Sequence, residues 1–253
     1  MKEQLNLAGR RALVTGSSQG IGRAIALAFA ECGADVMVHC ARDVAKAEAV
    51  RQAIEACGVR SGITVADLAN PEAAQQLHAE TEAALGTVDI LVLNASVQIR
   101  KAWQEITLDE YRRQLDVNFG ACLWLIQKFA PAMQRAKWGR ILTIGSVQQA
   151  RPHPEMLVYS ATKAALANLV RSLAPQLARD GVTINNLAPG AIATGRNAEV
   201  LADEAYLRKV LAKIPLGYVG EAYDCAGLAV ILCSEAGRYI TGQDVFVDGG
   251  MSL

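Results

Sequence analysis

A chain of 253 residues with 52% hydrophobic side chains can bury a substantial core without dividing into several domains. Lys+Arg and Asp+Glu balance at 25 each, which removes any electrostatic reason to expect nucleic acid or an anionic membrane as a partner. No apolar run is long enough to span a bilayer and the charged start Met1-Lys2-Glu3-Gln4 lacks an apolar signal core, so a cytoplasmic protein is expected.

Short β-branched runs alternate along the chain with longer alanine-rich stretches. Strands are predicted at 12–15, 36–40, 61–65, 90–93, 140–144, 183–187 and 245–247, and helices at 20–31, 44–56, 71–85, 108–134, 157–179 and 222–233. Ile90-Leu91-Val92-Leu93 is apolar throughout, as a parallel strand covered on both faces requires. Thr107-Leu108-Asp109-Glu110 has the spacing of a capping box, and Pro71 after Asn70 suits a first helical turn. Strict alternation implies a single doubly wound α/β domain over 1–253, its seven-stranded, mostly parallel sheet flanked by helices on both faces. The irregular stretch 189–214 is the natural substrate lid. The cysteines Cys32, Cys40, Cys57, Cys122, Cys225 and Cys233 are scattered, and His39, His78 and His153 are far apart. Neither a disulfide framework nor a metal site is expected; buried, reduced thiols are.

The first strand runs into Thr15-Gly16-Ser17-Ser18-Gln19-Gly20-Ile21-Gly22, which opens a helix. Glycines permit a tight turn and close approach of the backbone, and a helix N-terminus offers free N–H groups to a pyrophosphate. A dinucleotide site is expected there. Near the end of the second strand, Cys40 stands where an acid would receive the ribose 2′-hydroxyl of NAD, and Arg42 follows to accept a 2′-phosphate. NADP(H) is favoured; NAD(H) remains the alternative if Asp43 serves the ribose.

Tyr159 and Lys163 lie four residues apart on a predicted helix, hence on one face. A free phenol titrates near 10 and is a poor proton donor or acceptor near neutrality, but a cation held close favours the phenolate. Ser146, at the end of the apolar run 141–145, supplies a hydroxyl able to polarise a carbonyl or bind the matching alcohol.

These motifs and their order resemble the short-chain dehydrogenase/reductase family over essentially the whole chain, in its branch of about 250 residues with a Rossmann-like fold. The match comprises the glycine loop, Asp67-Leu68 after the third strand, Asn94-Ala95 after the fourth, and Asn118 in Asp116-Val117-Asn118-Phe119. It continues with Ser146, Tyr159-x-x-x-Lys163, Pro189-Gly190, Tyr239-Ile240-Thr241-Gly242 and Val247-Asp248-Gly249-Gly250. The resemblance implies that Tyr159 is the general acid in reduction and base in oxidation. It implies that Lys163 lowers the phenol's pKa and holds the nicotinamide ribose, that Ser146 orients the substrate oxygen, and that Asn118 anchors a relay water. Gly16, Ser18, Gln19, Gly20, Ile21, Gly22, Asp67, Leu68, Asn94, Pro189, Gly190, Ile192 and Thr194 would touch the cofactor, Asp67 at the adenine and Thr194 at the carboxamide. The resemblance also implies a homotetramer built partly on the helices at 108–134 and 157–179. Ser96 departs from the family's glycine, Gln19 from the arginine of many NADP-preferring relatives, and Pro175 is expected to kink its helix.

The loops expected around the substrate carry Ser96, Gln98, Arg100, Lys101, Gln148, Gln149, Arg151 and His153, a polar and mostly basic set. Of these, Ser96, Gln98, Arg100, Gln148 and Arg151 are the substrate candidates. A small polar or anionic carbonyl compound is expected, such as a sugar, polyol, sugar acid or keto acid. A 3-oxoacyl-thioester reductase and an NADP(H)-binding sensor or scaffold are the alternatives.

Overall fold

In the computed structural model, which describes residues 2–253 apart from the side chain of Glu199, the predicted alternation is realised almost element by element. The strands are β1 (Arg11–Val14), β2 (Asp35–Cys40), β3 (Ser61–Val65), β4 (Ile90–Leu93), β5 (Gly139–Ile144), β6 (Val182–Pro189), β7 (Ile192–Ala193), β8 (Gly220–Glu221) and β9 (Asp244–Val247). Seven form one sheet in the order β3-β2-β1-β4-β5-β6-β9, with every neighbouring pair parallel. The seven-stranded sheet expected from the sequence is thus present and parallel throughout.

The helices are α1 (Lys2–Leu5), α2 (Gly20–Glu31), α3 (Val44–Glu55), α4 (Ala73–Leu85), α5 (Leu108–Leu115), α6 (Ala121–Ala136), α7 (Leu157–Leu177), α8 (Ala198–Ala202), α9 (Glu204–Leu211) and α10 (Ala222–Cys233). Successive strand side chains point to opposite faces. Ala12, Val14, Ile90 and Val92 therefore join a core with α2, α3 and α10, while Leu13, Leu91 and Leu93 join a second core with α4, α6 and α7. Truncating a side chain such as Leu91, fully buried between these layers, should cost about 2–5 kcal/mol.

Several local details bear on the expectation. Helix α4 starts at Ala73, because the Asn70 side chain accepts the Glu72 amide and the Asn70 carbonyl accepts that of Ala73, spending Pro71 in a preceding turn. The predicted helix 108–134 is broken by a π-helical stretch, Asp116–Gly120, in which the Ala121 amide bonds the Asp116 carbonyl. The wider turn re-phases the helix and leaves Val117 and Asn118 buried. Helix α7 runs through Pro175 to Leu177, and α6 likewise contains Pro131. Finally, the segment 189–214 is not irregular: β7 pairs with β8 in a small separate sheet, and Asp203 caps α9 through the amides of Ala205 and Tyr206. Among the cysteines, Cys40, Cys122, Cys225 and Cys233 are buried, but Cys57 is exposed. Among the described residues, no helix is long and apolar enough to cross a membrane.

Candidate active site

Residues just beyond the carboxyl ends of β1, β4 and β5 meet Gly190, which follows β6, around a cleft of about 390 Å³. The cleft lies where the strand order reverses between β1 and β4, the position at which open α/β sheets bind ligands. Helix α2 opens on it through Gly20 and Ile21, and Gln19 at its N-cap makes no side-chain capping bond. Its first amides are thus available to an anion, as a dinucleotide pyrophosphate requires. Gly16 has φ +63°, and a Cβ there would lie 2.9 Å from the Ala95 Cα, so the close turn needs glycine.

The turn is fastened from behind. Asn94 Nδ2 donates to the carbonyls of Thr15 (2.8 Å) and Gly16 (3.0 Å), and Thr15 Oγ1 accepts the amides of Asn94 and Ala95. His39 Nδ1 accepts the Gly16 amide at 2.9 Å, and Ser17 Oγ accepts the His39 amide at 3.1 Å. Gly22 does not line the cleft. A Cβ there would sit 2.6 Å from the Gly16 carbonyl oxygen and closer still to Asn94 Nδ2, so this glycine lets α2 pack against the turn. The bonds that Thr15, Ser17 and His39 make behind the turn were not read from the sequence, because they join residues 22 to 80 positions apart.

At the adenosine end, Cys40, Asp67 and Leu68 line the cleft, whereas Arg42 stands at the rim with its side chain 82% exposed. Asp67 is not free. Arg113, on α5, donates to it at 3.0 Å, and Arg42 approaches it at 3.9 Å. Burial would raise this carboxyl, but the Ala69 amide and the two arginines hold it below the usual carboxylate range. Arg113 also lines the cleft and was not identified from the sequence.

At the other end, α7 presents Tyr159 and Lys163, and the loop after β5 presents Ser146; all three line the cleft. Lys163 is only 2% exposed, its Nζ donates to the Ile144 carbonyl at 2.6 Å, and it lies 5.5 Å from the centre of the Tyr159 ring. Burial pushes this ammonium below the ordinary lysine range; Tyr159 and Cys122 oppose the shift and Arg196 adds to it. Ser146 Oγ accepts the Gln148 amide, which leaves its hydroxyl proton for a substrate oxygen. Asn118 is absent from the lining. Its Oδ1 accepts the Val97 amide at 2.7 Å, and its Nδ2 donates to the Val97 carbonyl at 2.8 Å and to Thr162 Oγ1 at 3.2 Å. That side chain ties the β4 loop to α7 next to Lys163.

Of the substrate candidates, Ser96, Gln98 and Gln148 line the cleft; Arg100 and Arg151 do not. Arg100 pairs with Glu155 and lies over the Tyr206 ring at 5.3 Å, and Arg151 reaches the Ser252 carbonyl. Lys101 is taken up by Glu110 at 2.9 Å. In their place the segment 189–214 brings in Asn197, Tyr206 and Arg196, the last bonded to Ser96. No spacing rule marks these residues, since their positions depend on how α8 and α9 fold back. Pro189, Gly190, Ile192 and Thr194 line the cleft as expected.

The constellation offers a phosphate-binding helix end, a phenol, an ammonium and a hydroxyl along one cleft, a set suited to proton exchange with a carbonyl or alcohol oxygen beside a bound dinucleotide. The profile of a family described as enoyl-(acyl carrier protein) reductase matches residues 16–252. The chain is 38% identical over 248 residues to glucose 1-dehydrogenase of Gluconobacter oxydans (strain 621H), covering 97% of this chain and 93% of that protein. A 3-oxoacyl-(acyl-carrier-protein) reductase from Agrobacterium tumefaciens C58 with NADP bound superposes with a TM-score of 0.94 at 39% identity, covering 99% of this chain and 97% of that one. A gluconate 5-dehydrogenase from Burkholderia cenocepacia J2315 in complex with NADP and tartrate superposes with a TM-score of 0.93 at 32% identity, covering 99% and 98%.

Proposed function

The chain belongs to the short-chain dehydrogenase/reductase family and is an NAD(P)-dependent oxidoreductase; from that premise we propose that it interconverts a small polar alcohol and its carbonyl compound with NADP(H). The substrate class is a sugar, polyol, sugar acid or keto acid. The observation that carries this reading is the convergence of Tyr159, Lys163 and Ser146 on the cleft that the α2 N-terminus also faces.

When bound, NADPH supplies the hydride that reaches the carbonyl carbon. The Ser146 hydroxyl holds the carbonyl oxygen, and the Tyr159 hydroxyl delivers the proton to that oxygen in reduction or removes it in oxidation. Among the described residues, the Tyr159 hydroxyl makes no hydrogen bond to another protein group, which leaves it to the substrate. The Lys163 ammonium, anchored on the Ile144 carbonyl, stabilises the phenolate and would hold the nicotinamide ribose hydroxyls. Asn118 is a positioning residue, holding the Val97 loop against α7. Ser18, Gln19, Gly20 and Ile21 would hold the pyrophosphate side, Asp67 and Leu68 the adenine, Ile192 and Thr194 the nicotinamide, and Arg42 the 2′-phosphate.

The segment 189–214 serves as the lid of this single domain, excluding water as it closes over the substrate. The polar lining at Ser96, Gln98, Gln148 and Arg196 supports a polar substrate, as does the tartrate complex of the gluconate 5-dehydrogenase relative. A 3-oxoacyl-thioester reductase is the second reading, supported by the family description and by the Agrobacterium relative. Assembly as a homotetramer is supported by exposed apolar residues on and around α5 and α7, among them Trp103, Leu108, Tyr111 and Leu157.

The deciding experiment follows NADPH absorbance with sugars, aldonates, keto acids and acetoacetyl thioester, then repeats the series with NADH. Turnover of polyhydroxy compounds with NADP(H), reduced about 10²–10⁴-fold in Tyr159→Phe with cofactor binding retained, is the expected result. Turnover of the thioester alone would move the assignment to the second reading.

A further inference from the structure

We propose that Arg196 determines substrate specificity at this site by binding a carboxylate of the substrate, and that Ser96 fixes the guanidinium in place for it. The inference rests on the reaction proposed above and names the substrate class within it: a hydroxy or keto acid rather than a neutral sugar.

Arg196 lies in the segment after β7, yet its side chain crosses to the loop after β4. Nη1 donates to Ser96 Oγ at 3.0 Å and Nη2 to the Ser96 carbonyl at 2.8 Å. Both residues line the cleft, together with Tyr159, Lys163 and Gln98. A glycine at position 96 would offer the carbonyl alone; the hydroxyl supplies the second acceptor that sets the plane of the fork.

Charge identifies what the fork holds. Among the described residues, the charged side chains lining the cleft are one carboxylate, Asp67, and three cations, Arg113, Lys163 and Arg196. Arg113 is matched to Asp67 at the adenosine end. Lys163 and Arg196 stand at the reaction end, where the lining has no acid. Arg196 takes part in none of the ion pairs among the described residues, and both of its hydrogen bonds go to neutral acceptors. A guanidinium has five N–H donors, and its planar fork matches a carboxylate through two parallel bonds. Two of the five face Ser96, so three remain for a ligand. Its charge already disfavours the neighbouring ammonium, and a substrate anion beside Arg196 would offset that repulsion. The dinucleotide phosphates are the other anion such a group could meet, so the test separates the two.

Calorimetry of D-gluconate, L-tartrate and sorbitol titrated into the wild-type NADPH complex, in which an alcohol cannot be oxidised, reads the site without turnover. The expected result is binding of the carboxylates in preference to sorbitol, with that preference falling about 10–100-fold in Arg196→Met and partly restored in Arg196→Lys, while NADP⁺ affinity changes less than twofold. Ser96→Gly should raise the KM for the acid more than it lowers kcat. Equal binding of acid and alditol to wild type, or no carboxylate binding at all, overturns the proposal. So does an Arg196→Met variant that loses NADP⁺ affinity and keeps its preference for the acid. A wild-type enzyme that binds carboxylates through Arg196 but turns over only the thioester refutes the substrate reading of the previous section and leaves the role of Arg196 standing.

Discussion

Imidazole Nδ1 of His39 accepts the Gly16 amide at 2.9 Å, joining the end of β2 to the glycine turn. An amide only donates and a carbonyl only accepts, so Nε2, 3.0 Å from the Ala66 carbonyl, carries the proton and the ring is neutral. Burial pushes His39 below its ordinary value of 6.5, against weaker opposing pulls from the Ala66 carbonyl and Asp67. The unfolded chain therefore binds more protons than the native one once pH drops past about 6.5. The contribution to stability is complete above that pH and is lost progressively below it. Thermal unfolding of wild type and His39→Asn between pH 8 and pH 5 should show the variant less stable by about 1–2 kcal/mol at pH 8 and the gap narrowing in acid. His153, also pushed down by burial, titrates in both proteins and cancels in the difference. A gap independent of pH would refute the assignment.

Gly22→Ala tests the packing of α2 on the turn. The added methyl meets the Gly16 carbonyl and the Asn94 amide, and Asn94 cannot retreat without releasing the carbonyls of Thr15 and Gly16. Chemical denaturation should report a loss of about 1–3 kcal/mol, accompanied by weaker NADPH binding. A variant with wild-type stability would mean that the turn yields freely.

If Arg42 receives the 2′-phosphate as proposed, it sets the choice between the two dinucleotides. With its head in solvent at the cleft rim, its bond to a 2′-phosphate would be partly screened. Arg42→Ala should raise the KM for NADPH roughly tenfold at low salt, less at high salt, and change that for NADH less than twofold. Equal loss with both cofactors would instead place Arg42 at a feature they share.

The exposed apolar side chains of Trp103, Leu108, Tyr111 and Leu157 line one surface groove together with Ile106 and the buried Val158. Leu157→Glu places a carboxylate in its middle while leaving the buried face of α7 intact. Light scattering should find four chains per particle in wild type and two or one in the variant. An unchanged mass would show that assembly uses another face.

Within the helix expected to present the tetramer contacts, the structure separates Phe129, which is buried in the core, from Trp124, which is exposed. Composition could not make that division: both residues lie in α6, where five positions of helix turn their side chains about 140° apart, onto different faces.

What the chain states in its own order is whatever depends on neighbouring residues. The all-apolar run Ile90–Leu93, the Thr107 capping box, the glycine turn opening α2, and the four-residue spacing of Tyr159 and Lys163 are all of this kind, and each was readable directly. Packing alone decided which distant segments meet: His39 under Gly16, Arg113 on Asp67, Asn118 on Val97, and Arg196 on Ser96 across 100 residues. Arg100 and Arg151, as basic as Arg196, fell outside the cleft for the same reason. Residue type sets what a side chain can bond. Which partner lies within 3 Å is set by the fold of loops whose paths no local periodicity encodes.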